Sequence, residues 1–113
     1  MDGYMKKMLV IVMLLFSNAL LIGCSADVTD AQHIINAQEY IDAGKVKAAS
    51  IELKNVLRNN PDNPHARLML GLLNFEMGNM PEAEKELTKA RELGIEDELI
   101  LPLMSRVLLL QGK

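Results

Sequence analysis

Three glycines set the frame for this chain. Gly44, Gly78 and Gly112 fall 34 residues apart. Glycine tolerates the left-handed backbone that follows a helix, so an even series of this kind marks helix ends in register. Other positions keep the same step: Val46 with Met80, Ala49 with Ala83, Leu53 with Leu87 and Val56 with Ala90. Tyr40 aligns with Asn74 and Leu108, and Ile41 with Phe75 and Leu109. A unit of this length cannot bury its apolar face alone. It must stack on its neighbours, which restricts the chain to a linear array.

Within each unit the local pattern is helical. Ile34, Ala37, Tyr40 and Ile41 recur at helical spacing before Gly44. Val46, Ala49, Leu53, Val56 and Leu57 share a second helical face, and the run Asn59 to Asn63 breaks it at Pro61. A third helix runs from His65 to Gly78. A fourth follows Pro81, which suits a first turn, with Glu82 and Glu84 at its positive end and Gly94 beyond it. A fifth runs from about Leu99 to Gly112, with Pro102 expected near its first turn or at a slight kink. Small residues at Ala49, Gly71, Ala83 and Ala90 allow close helix approach. The fold class expected is all-α.

The period and pattern resemble the tetratricopeptide repeat (TPR), a family of paired antiparallel helices. Its recurring small, glycine and alanine positions fall on Ala37, Gly44, Ala49 and Val56 in one repeat and on Gly71, Gly78, Ala83 and Ala90 in the next, with Leu70 and Pro61 also matching. Two departures are Arg67, where the family has an aromatic, and Ile95, where it has a proline. The resemblance implies an α-solenoid of about two and a half repeats and five helices, at 30–63, 64–97 and a partial 98–113.

The amino terminus is of another kind. Lys6 and Lys7 precede an unbroken apolar run from Met8 to Phe16, which Ser17 and Asn18 interrupt. A charged start, a short apolar stretch and small residues after it are the parts of a secretory signal. A transmembrane helix needs about 20 apolar residues, and this run is shorter. Leu21-Ile22-Gly23-Cys24 then resembles the lipobox of bacterial lipoproteins. That resemblance implies removal of residues 1–23, lipidation at Cys24, a short tether over 24–29, and a protein held on the periplasmic face of a membrane. Ser25 after the cysteine, where an aspartate would mark inner-membrane retention, implies the outer membrane.

A narrower similarity covers nearly all of the chain beyond Cys24. "ELKNVL" at 52–57, "AEKEL" at 83–87 and "LLLQGK" at 108–113 resemble the TPR lipoproteins of exosortase and PEP-CTERM sorting systems, long envelope proteins associated with exopolysaccharide. Those have many more repeats. The last helix here is apolar on almost every side, so further C-terminal repeats, a partner chain or self-association is expected to cover it. A truncated fragment is the reading preferred. Assembly of outer-membrane proteins or pili, an accessory domain of an enzyme and a non-functional remnant are the alternatives for function.

Little in the chain points to chemistry. It carries no glycine-rich phosphate loop and no nucleophile-elbow context around its serines. The single cysteine leaves no internal disulfide and no multi-thiolate site, and His33 and His65 read as surface or groove residues without metal or cofactor. The net charge is −3, of which residues 24–113 carry −4, and without a basic stripe nucleic acid is a poor partner. The carboxylates of 82–86 and 91–98 read as solvated faces. In the TPR family one side of each first helix faces a concave groove, which here implies Ile34, Gln38, Ile41, His65, Leu68, Leu72, Phe75 and Glu76, a largely apolar surface for a peptide or helix. The other reading of Leu68, Leu72 and Phe75 is that they cover neighbouring repeats. The function expected is that of a membrane-anchored adaptor, not an enzyme.

Overall fold

The computed structural model describes residues 2–17 and 28–113, with side chains described for 2–11 and 28–113. Six helices are described: α1 (Asp2–Ser17), α2 (Asp30–Asp42), α3 (Val46–Asn59), α4 (Pro64–Glu76), α5 (Met80–Glu92) and α6 (Asp97–Leu110). There is no strand among the described residues. Cys24 and most of the tether, residues 24–27, lie outside them.

Turn chemistry sets the helix ends. Gly44, Gly78, Gly94 and Gly112 all have positive φ, between 71° and 100°. At each, the amide of the residue after the glycine reaches back to a carbonyl of the last turn: Lys45 to Tyr40, Asn79 to Asn74, Ile95 to Ala90 and Lys113 to Leu108. These bonds satisfy carbonyls that helix geometry leaves open. Two starts, those of α2 and α4, are fixed by side chains. Thr29 accepts from the Gln32 amide at 3.2 Å, and Asn63 accepts from the Ala66 amide at 3.0 Å with Pro64 opening α4. α6 begins two residues earlier than the apolar pattern suggests, at Asp97, and Pro102 lies inside it beyond the first turn. The acids Asp97 and Glu98 favour the early start, and the proline removes only one helical hydrogen bond.

The helices stack in order. α2 packs on α3, α4 on α5, α3 on α4 and α5 on α6, and α4 also meets α6. The first cluster of buried side chains joins Ala37, Ala49, Leu53, Val56, Ala66, Leu70 and Leu73. The second joins Ala83, Leu87, Ala90, Ile100 and Val107. Leu87, fully buried, lies so close to Gly71 that a β-carbon at Gly71 would meet its Cγ and Cδ2 at 2.8 Å. One repeat earlier the equivalent pair is Ala37 and Leu53, both fully buried.

Gly71→Ala therefore sets a helix-propensity gain of about 1 kcal/mol against an overpacking cost of about 1–3 kcal/mol. Leu87→Ala alone should cost about 2–5 kcal/mol. Combined with Leu87→Ala, Gly71→Ala should become stabilising, because the missing leucine makes room for the methyl. A double-mutant cycle by urea denaturation measures the change of sign.

Candidate functional site

The repeat places a polar contact at the same point of both helix pairs. His33 Nδ1 meets Glu52 Oε2, and Arg67 Nη1 donates to Glu86 Oε2 at 2.8 Å, each across 19 residues. His33 and Arg67 stand 34 residues apart, and so do Glu52 and Glu86. Arg67 also donates from Nε to the Pro61 carbonyl at 3.1 Å. The Glu86 side chain is 6% exposed. It is thus a partnered carboxylate between helices, not part of the solvated face expected over 82–86. His33 is likewise half-buried against its partner and not a plain surface histidine. Both pairs could have been found by testing charge at the repeat period, which places a base and an acid at matching points.

Glu84 differs from expectation in the same way. Instead of serving the α5 amino end, its Oε2 accepts from Gln111 Nε2 and from Lys113 Nζ, both at 2.8 Å. It ties α5 to the cap and the turn that follow α6. Arg91 grips Asp97 with two bonds, Nε to Oδ1 at 2.6 Å and Nη2 to Oδ2 at 3.0 Å, holding the other end of α6. The Lys113 bond, then that of Gln111, holds the Glu84 carboxyl below the usual carboxylate range. The Arg91 guanidinium does the same for Asp97.

The residues expected in the groove divide into two sets. Ile34 and Ile41 are half-buried against the first core cluster, and Leu68 and Phe75 against the second. These four apolar side chains serve packing between helices. Arg106 of α6 lies over the Phe75 ring at 4.7 Å, a cation–π contact that covers its remaining face. Gln38, His65, Leu72 and Glu76 are exposed. Gln38 is held to Asp42, with Nε2 donating at 2.9 Å. Of the five apolar candidates only Leu72 is open, at 41%. The surface is therefore mixed in polarity, unlike the largely apolar groove expected. Arg106 is its contribution from α6, one that a reading of α2 and α4 alone misses.

The fold and this surface define a class: a stacked array of antiparallel helix pairs that presents a face for contact and no cluster of reactive groups among the described residues. A family model for the tetratricopeptide repeat matches residues 40–107. The chain belongs to the tetratricopeptide repeat family, whose repeats mediate protein–protein interaction and typically act as non-catalytic scaffolds. No curated protein and no solved structure matches it.

The depressed carboxyls fix the sign of the acid response. Their stabilising contribution is full above the unfolded-state value near 4 and is lost as pH falls through the lower folded value. Between about pH 4 and pH 2 the wild type should lose stability more steeply than Glu84→Gln/Asp97→Asn, by a modest amount because Asp97 is exposed and Glu84 only partly buried. Urea midpoints across that range measure the difference. Substitution on the face should also separate covering from contact. Phe75→Ala should cost about 2 kcal/mol or more, and Leu72→Ser should stay within about 0.5 kcal/mol, both by denaturant unfolding.

Proposed function

We propose that the chain is a lipid-anchored adaptor of the bacterial envelope. Cys24 carries the anchor, and the repeats hold a protein partner on the face around Leu72. The observation that carries this reading is the placement of Leu21-Ile22-Gly23-Cys24 behind Lys6, Lys7 and an apolar segment, and ahead of a folded repeat array. Met8, Leu9, Val10 and Ile11 are all exposed in α1, which suits a leader received by another apolar environment. No described helix is long and apolar enough to cross a membrane. Each buried CH₂ of an acyl chain contributes about 0.8 kcal/mol, so two or three chains on one residue hold a protein firmly where one chain does not.

On this reading residues 1–23 are cleaved, 24–29 form the tether, and Ser25 directs the product to the periplasmic face of the outer membrane. The similarity of residues 52–57, 83–87 and 108–113 to the exosortase-associated TPR lipoproteins supports a role in PEP-CTERM protein sorting or exopolysaccharide export. The adaptor works by raising the local concentration of its partner at the membrane, without turnover.

Cells grown with radiolabelled palmitate should label the wild type and leave Cys24→Ser unlabelled, with the variant shifting from the membrane to the soluble fraction. Equal labelling of the two rules the anchor out.

A further inference from the structure

The last helix carries a face that its two predecessors do not leave open. Ser105 of α6 stands 34 residues after Gly71 and 68 after Ala37. Gly71 and Ala37 are buried under α5 and α3. Ser105 is exposed, with Leu101 44% and Leu109 75% exposed on the same side of the helix. Spacings of four residues put all three in one stripe, with half-buried Leu108 at its edge.

This stripe is self-complementary. Leu101 and Leu109 lie four residues before and after Ser105. Turned antiparallel about Ser105, a second α6 brings each Leu101 onto the other's Leu109, with the small serines at the crossing. The ends then match in charge. Glu98 lies in the first turn and has no ion pair among the described residues, and it comes opposite Gly112 of the second copy, beside Lys113. Lys113 already meets Glu84, but an ammonium has three donors and can serve both. Antiparallel alignment also sets the helix dipoles in opposition.

A helix built like α3 or α5 fits less well. In both earlier pairs that helix brings a glutamate onto a base, Glu52 onto His33 and Glu86 onto Arg67. The equivalent residue of α6 is Leu101, where such a carboxylate would be buried without a partner. We infer that α6 is the interface of a two-fold dimer, in which the same face of a second copy covers Leu101, Ser105 and Leu109.

Cysteine cross-linking of the full chain in detergent micelles tests this, in a Cys24→Ser background that removes the native thiol. Ser105→Cys lies on the two-fold axis, where two β-carbons approach within disulfide reach, and should form a cross-linked dimer under mild oxidation. Thr88→Cys, exposed on α5, should not. Adding Leu109→Glu should reduce the Ser105→Cys dimer about tenfold while leaving the circular dichroism unchanged, since Leu109 contributes to no core. Glu98→Lys should also reduce it, and Lys113→Glu in the same chain should restore it. A monomeric Ser105→Cys chain overturns the proposal, as it would if another helix occupied the face. So do equal cross-linking at Thr88→Cys, which points to association through α1, and indifference to Leu109→Glu.

Discussion

The separation between the helices of a pair governs everything else in this molecule. At Gly71 the backbone of α4 approaches Leu87 so closely that no side chain fits between them. Ala37 performs the same service opposite Leu53 with one methyl group. Close approach brings Ala83 and Ala90 into full burial and places α5 where it can also receive α6 through Ile100 and Val107. A wider gap would move α6 away from Phe75 and take Arg106 off its ring. The residues that shape the outer face are thus positioned by atoms on the opposite side of the same helices.

Electrostatics then fix register on a frame that packing has built. The contacts of His33 with Glu52 and of Arg67 with Glu86 stand where an aromatic is usual in the family, and they supply direction that an apolar contact lacks. A half-buried pair of this kind adds little net stability, because desolvation offsets attraction. Its effect is felt when helices slide: one turn of displacement leaves Glu86 buried and unpaired. Every buried side-chain nitrogen and oxygen among the described residues has a partner, so the array carries polar groups internally without leaving them unsatisfied.

The repeat skeleton was legible in the sequence because its signals are local or strictly periodic. Glycine after a helix, proline at its start and a leucine facing a small residue can each be read without knowing the neighbours. Gly44, Gly78, Gly94 and Gly112 indeed close helices. The partners of Glu86 and Glu84 are not legible in the sequence of α5, because a single helix shows Lys85 and Lys89 beside them and hides Arg67 and Lys113, which lie elsewhere in the chain. The outer face suffered similarly. The pattern of α4 shows that Leu68, Leu72 and Phe75 share a side, but only the arrival of α6 decides which remain open, and it leaves Leu72. α6 begins early because an apolar stripe says nothing of the acids in its first turn.

Stacking in chain order has a consequence in time as well as in space. Among the described residues, every substantial helix contact joins elements that are adjacent or next but one in sequence. Loops closed by such contacts are short, so little chain entropy is lost before packing compensates it. Proteins dominated by contacts of this range fold in microseconds to milliseconds. Either helix pair can serve as the nucleus from which its neighbours are recruited. The array can therefore assemble progressively as it emerges from a ribosome, with each new helix finding its seat already formed by the one before.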